Sequence, residues 1–361
     1  MIRYLWLILI MGWLCSACAP VTPPPAAAVE STPIVITDAL GRQVTLPSAP
    51  QRIVITGKAL IMIADAAYTF PEASQRIIGI GSAGQGSSNF LSLIDPDYAQ
   101  KAVLDNTAGP EQIAAMHPDL VLLKSYLAES VGNPIEAIGI PVIYVDFETP
   151  EQYARDLAIL GQVFQNEARA AQVADYYQAR VEHIQQALGT VESRPRVLML
   201  YYSDRDGNVA FNVPPLAWMQ TQIVQLAGGT PVWAEANLSN GWTQVALEQI
   251  AAWDAEQIFV IAYDTNPSEV VASLESDTNW QALRAVQQNH LHAFPADLYS
   301  WDQPDTRWIL GLTWLAGRLH PELFPGLDIT AEAQDFYQQL YNLDADFFQQ
   351  NIFPTFKGDL P

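Results

Sequence analysis

The chain is short of cysteine, of positive charge and of catalytic signatures, and each shortage excludes something. Its two cysteines, Cys15 and Cys18, both lie in the first 18 residues, so no disulfide holds whatever folds after them. Seventeen lysines and arginines stand against 39 aspartates and glutamates, a formal net charge of −22. With no basic run, the surface has no footprint for nucleic acid or for an anionic membrane. No GxSxG elbow, HExxH pair, lysine-bearing phosphate loop or cysteine nucleophile occurs beyond residue 18. A hydrolase is therefore not expected. Of the five histidines, only His290 and His292 alternate on one strand, and no acid or third histidine stands near them. That argues against a bare zinc or manganese site. The one marked apolar run, Leu5 to Leu14, is too short to remain as a spanning helix.

What is present is a self-similar stretch. EQIAAMHPDLVLLK (111–124) and EQIAAWDAEQIFVI (248–261) share Glu-Gln-Ile-Ala-Ala without a gap. Each reads as a short helix, a tight turn and a strand that is a near-continuous apolar run, the mark of parallel sheet buried on both faces. Recurrence at this separation implies two related units, and 361 residues suffice for two α/β domains.

In the first unit (34–148) a hairpin turns at Leu40-Gly41-Arg42. Strands follow at Ile53–Thr56, Arg76–Ile80, Leu120–Leu123 and Val142–Val145, with a helix from Ala59 to about Tyr68. Alternating strands and helices give a parallel sheet whose ligands sit beyond the C-terminal strand ends. Lys58, Ser82 and Tyr126 fall at such ends. Gly79 to Gly84 fits GxGxxG only formally, because no convincing helix follows. The connector (149–190) has Thr149, Pro150 and Gln152 as one helix start and Asn166 as a second. The stripe Ala170, Val173, Tyr177, Val181, Ile184 and Leu188 makes the second helix long and stiff. The second unit (191–325) has strands at Val197–Tyr202, Val209–Asn212, Gln257–Ile261 and Leu291–Phe294. Asp204 to Gly207 reads as a hairpin turn rather than a calcium loop, and an amphipathic helix is expected from Thr306 to Leu319.

The start of the chain reads as a secretory signal (1–17), with Arg3 and small residues before the cut. Ser16-Ala17-Cys18 resembles a bacterial lipoprotein signal, although Cys15 stands where such signals usually carry Leu. Cys18 is then the lipidated residue, and the Pro/Ala-rich segment 18–33 is a tether.

ITDALGRQVTLPSAPQRIV, EQIAAMHPDLVLL, LAGGTPVW, GWTQVALEQIAAW and YSWD with Arg307 and LGLTWLA together resemble the extracytoplasmic substrate-binding proteins of ATP-binding-cassette importers. The resemblance is to the class that carries iron–siderophore complexes, haem and cobalamin. It implies two Rossmann-like α/β lobes joined by a single long helix, with the ligand in the cleft between them, and a helical extension for the tail, 326–361. It also implies docking of Glu111 and Glu248 on a membrane permease that works with an ATPase, and a monomeric receptor without a resident cofactor. Trp242 and Trp301 fall where related cobalamin-binding proteins place stacking side chains, and Arg307 follows on the same segment. Arg307 could bind an anionic group or simply pair with Asp302 or Asp305. Tyr202 and Tyr299 join Lys58, Ser82 and Tyr126 as further ligand contacts. Haem could be held through a tyrosine, and an oxyanion such as molybdate by the loop Gly81 to Ser88. The expected cargo is a metal chelate, a ferric siderophore or haem, with cobalamin and an oxyanion as alternatives.

Overall fold

The computed structural model describes residues 33–82, 89–105, 108–189, 191, 193–205, 207–236 and 239–360. The signal, Cys18, the tether up to residue 32 and the glycine/serine loop from Ala83 to Ser88 lie outside the described residues. The first sheet is built of β3 (Ile53–Ile55), β4 (Ile77–Gly81), β5 (Ala102–Leu104), β6 (Leu120–Lys124) and β7 (Val142–Val145), after a hairpin of β1 (Ile34–Thr37) and β2 (Gln43–Leu46). All five strands are parallel, in the order β5-β4-β3-β6-β7. Alternate side chains enter different cores. Ile53, Ile55, Leu120 and Leu122 join the main apolar cluster, while Val54, Val121, Leu123 and Val142 join a second one with Ile113 and Ile135. Burial on both faces is why these strands lack polar alternation. The edge strand β5, with Val103 exposed, carries only three residues and escaped the sequence reading.

The second sheet comprises β8 (Arg196–Arg205), β9 (Asn208–Val213), β10 (Thr230–Pro231), β11 (Thr243–Val245), β12 (Gln257–Ala262) and β13 (Leu291–Ala293). Its order is β11-β9-β8-β12-β13, with β10 beside the start of β8. The hairpin expected at Asp204 to Gly207 forms: β8 and β9 are antiparallel, and Gly207, at φ +81°, donates its N–H to Asp204. This hairpin breaks the likeness of the two sheets on one side, since β4 runs parallel to β3 whereas β9 opposes β8.

On the other side the two copies of the repeated stretch agree in detail. β6 lies between β3 and β7, and β12 between β8 and β13. The helices Pro110–Ala114 and Leu247–Trp253 lead into them through equivalent left-handed residues, His117 (φ 49°) and Asp254 (φ 43°). The acid two positions on, Asp119 or Glu256, accepts the N–H of the arginine at the start of the central strand, Arg52 (2.9 Å) just before β3 or Arg196 (2.7 Å) opening β8. That arginine's guanidinium caps the helix-end carbonyls, of Met116 and His117 in one copy and Trp253 in the other. One clip is built twice from matching residues.

The connector is the helix pair Pro150–Phe164 and Glu167–Leu188. Thr149 caps the first by accepting from Gln152 N–H, and Asn166 caps the second through Arg169 N–H. At 22 residues the second is roughly 33 Å long. The connector does more than span. Tyr153 packs on Phe147 of the first lobe and on Trp308 of the second, and Tyr177 stacks on Trp308 at 5.3 Å. One apolar core therefore runs through both lobes.

The expected helix forms at Trp308–Leu319 with only a narrow exposed stripe; of its twelve residues only Thr313, Gly317 and Arg318, on one face, escape full burial. It lies against helices Glu167–Leu188, Met219–Leu226 and Ile329–Tyr341. At Gly311 a side chain is impossible, because a Cβ would meet Trp301 O at 2.3 Å.

Arg307, just before that helix, lies at the lobe junction and is fully buried. It pairs with Asp65 of the first lobe at 2.6 Å and with Asp297 (2.8 Å) and Asp305 (3.4 Å) of the second. Tyr337 and Tyr341 of the tail helix bond to Asp297 and to Asp65 O. Burial, helped by Asp297 and opposed by Arg307, pushes the Asp65 carboxyl from 3.8 up to about 6. Removing the cation strands these carboxylates, so Arg307→Met should cost roughly 3–5 kcal/mol in a denaturant titration. Between its ordinary and raised values Asp65 holds a proton only when folded. Its contribution to stability is thus largest in acid and is lost as pH rises through about 6. Melting temperature should therefore rise, relative to Asp65→Asn, as pH falls from ~7 to ~5. Parallel curves for the two proteins would refute that assignment.

Candidate functional site

A cavity of about 970 Å³ opens between the lobes at the C-terminal ends of both sheets. Much of its lining comes from residues at or just past strand ends. Ala59 and Met62 follow β3, Tyr126 follows β6, and Glu148 and Thr149 follow β7 where the connector begins. From the second lobe come Tyr201 in the second half of β8 and Arg205 at its end, Tyr263 and Asp264 after β12, and Trp218, Gln220 and Trp242 from intervening segments.

The second-lobe wall is aromatic. Tyr201 lies 4.7 Å from Tyr263 and 5.1 Å from Trp242 between ring centres, and Trp218 meets Trp242 edge-on at 5.6 Å. Such rings present large apolar area at low conformational cost, with polar tips to direct a ligand. Every phenol on these walls is held protonated. Burial, then Glu148, pushes Tyr126 up to about 12; burial, then Asp264, raises Tyr201; burial, then Asp302, drives Tyr263 well above its ordinary value. They are therefore hydrogen-bond donors, and the Tyr263 hydroxyl already donates to Asp302 at 2.7 Å. Charge is sparse: Arg205 is the one base among the described lining residues, against Glu148 and Asp264. Its guanidinium makes no ion pair with a described residue, whereas Glu148 is paired with Lys124 at 2.7 Å.

Of the residues singled out from sequence, Trp242 and Tyr126 line this cavity. Lys58 is exposed beside it, and its carbonyl accepts the Tyr126 hydroxyl at 3.3 Å. The others do not reach it. Ser82 closes β4, its N–H bonded to Leu104 O. Tyr202 points away toward Phe211, because strand alternation turns its neighbour Tyr201 to the cleft. Tyr299 is buried and its hydroxyl accepts the Phe90 N–H. Trp301 is wholly buried, with its indole donating to Asp297 and its ring edge-on to Phe356. Arg307 is wholly buried in the junction described above. None of these five lines the cavity, and the three buried ones, Tyr299, Trp301 and Arg307, are structural residues. The reading also missed Tyr201, Trp218, Tyr263, Arg205, Glu148 and Gln220. Parity with Val197 and Met199 was the available signal for Tyr201; Arg205 was hidden within a turn motif.

Glu111 and Glu248 are exposed in the first turns of the matching helices and line no part of the cavity. His292 sits between Asp359 and Gln257, and His290 Nδ1 faces Glu256 O, both remote from the cleft residues. No group of three or more metal-ligating side chains occurs among the described residues.

Residues 57–298 match the family model described as periplasmic binding protein. The molybdate-binding protein MolA of Haemophilus influenzae is 23% identical, over 85% of this chain and 90% of its own. The vitamin B12-binding protein of Yersinia pseudotuberculosis is 25% identical, over 60% of this chain and 80% of its own. A periplasmic solute-binding protein of Veillonella parvula, solved by crystallography, superposes with a TM-score of 0.70 at 21% identity. That superposition covers 90% of this chain and all of the other.

Proposed function

Since the chain belongs to the periplasmic binding protein family, a family of substrate-binding proteins rather than enzymes, we propose that it captures a large, weakly charged metal chelate outside the cytoplasmic membrane. The chelate is an iron–siderophore complex or a corrinoid, delivered to the permease of an ATP-binding-cassette importer. The observation that carries this is the interlobe cavity with its wall of Tyr201, Trp218, Trp242 and Tyr263. Its ~970 Å³ stands at the top of the roughly 300–1,000 Å³ range that encloses cofactor-sized ligands. A tetrahedral oxyanion would fill a small part of it and would have one arginine to neutralise it. A multiply anionic ferric catecholate is disfavoured on the same ground.

In this reading Cys18 carries the lipid and the proline-rich tether spans the gap to a monomeric receptor. Glu111 and Glu248, equivalent acids on equivalent helices, meet basic groups of the permease. The duplicated arginine clip supports this use by giving both glutamates the same rigid mounting.

Calorimetric titration against dicyanocobinamide, ferrichrome, haemin and molybdate tests the ligand class, and binding of molybdate alone would reverse it. With the chelate that binds, Trp242→Ala should weaken affinity about tenfold through loss of a stacked wall; an unchanged value removes Trp242 from the site. Glu111→Ala with Glu248→Ala should abolish cellular uptake while leaving that affinity within about twofold. Equal loss of both would contradict the docking role.

A further inference from the structure

Lys124 is the anomaly of the first sheet. It ends a strand that otherwise reads Leu-Val-Leu-Leu, and its side chain is fully buried. An ammonium is placed in such surroundings only with fixed partners. Those partners are Asp146 O and Glu148 Oε1, the latter at 2.7 Å. Glu148 is also clamped along the main chain: its N–H donates to Gln152 Oε1 at 3.0 Å, and the next residue, Thr149, caps the connecting helix. Yet Glu148 keeps 29% of its side chain exposed and lines the cavity, and its Oε2 has no partner among the described residues. A buried cation thus holds one carboxylate oxygen and leaves the other for the cleft.

The opposite wall is set the same way. Gln220 donates its Nε2 to Asp302 at 3.1 Å, and Asp302 also accepts from Tyr263 and Ser300. Asp302 thereby fixes the amide with its carbonyl end left over, and Gln220 Oε1 has no partner among the described residues.

We propose that Glu148, with Lys124 as its positioning residue, accepts hydrogen bonds from N–H or O–H groups on the rim of the bound chelate, and so selects donor-bearing chelates over acceptor-only anions. This rests on the chelate reading above and deepens it. A ligand with rim donors satisfies the free oxygen, whereas one without them leaves a desolvated acceptor unpaired, the situation recognition sites penalise most. A tetrahedral oxyanion, which only accepts, meets a carboxylate there.

The test uses two corrinoids of one shape, titrated into the full chain in detergent. Dicyanocobinamide carries primary amides on its rim; dicyanocobyrinic acid heptamethyl ester carries esters that cannot donate. The wild type should prefer the amide by about tenfold or more, and Glu148→Ala and Lys124→Met should reduce that preference to about twofold. Glu148→Gln, which keeps a carbonyl acceptor, should retain part of it. Melting temperature is read for each variant, and a fall in stability with the preference intact would make the pair merely structural and overturn the proposal. Equal binding of both corrinoids by the wild type also overturns it, while leaving the chelate reading standing. If ferrichrome, whose peptide N–H groups supply the donors, is the probe that binds, Glu148→Ala must weaken it to the same extent or the proposal fails. Molybdate binding alone, or no binding of any probe, overturns proposal and chelate reading together.

Discussion

One guanidinium surrounded by three aspartates holds this molecule in its shape. Arg307 cannot leave water alone, and neither can Asp65, Asp297 or Asp305; each tolerates burial because the others are there. Its ring neighbours Phe90 and Tyr299 place aromatic faces 4.6 and 4.9 Å from the cation and exclude solvent from the junction. Since Asp65 belongs to one lobe and Arg307 to the other, the pair sets how the lobes meet. The aromatic contacts Phe147–Tyr153–Trp308 extend that junction through the connector. The cleft wall is therefore carried on a scaffold with little freedom, which suits a receptor that positions a rigid ligand.

The architecture was legible because its signals are local. Apolar runs bounded by turns gave the central strands, and Thr149, Pro150 and Asn166 announced the connecting helices through caps that form as expected. Gly207 marked the hairpin. The short edge strand β5 carries too few residues to show a period. The helix Trp308–Leu319 keeps only a narrow exposed stripe because three other helices cover it, which periodicity along one segment does not reveal.

The site was less legible, for a related reason. Aromatic and charged residues near strand ends look alike in sequence whether they face a cleft or a junction. Trp301, Tyr299 and Arg307 belong to the junction, and Trp242 and Tyr126 to the cleft, yet all carry the chemistry of ligand contacts. Tyr201 and Tyr202 differ only in parity, and β8 is buried on both faces over its first half, so no polar neighbour marks the side. What separated the two groups was burial with partners: Arg307 finds three acids, the nearest in sequence only two residues away and the farthest in the other lobe, and is wholly enclosed among them, out of a ligand's reach. Lys124 shows the converse, a residue whose sequence setting says core and whose contact lies at the cleft edge.

The tail helix has a kinetic consequence. The junction draws Asp65 from the first lobe, Arg307 from the second, and Tyr337 and Tyr341 from a helix that begins only at Ile329. Each arginine clip, by contrast, closes within its own lobe. A chain that emerges from its N-terminal end can thus complete the first sheet early, but must carry an unpartnered Asp65 until nearly all of its length has arrived. The last residues to appear are the ones that finish the interior of the first.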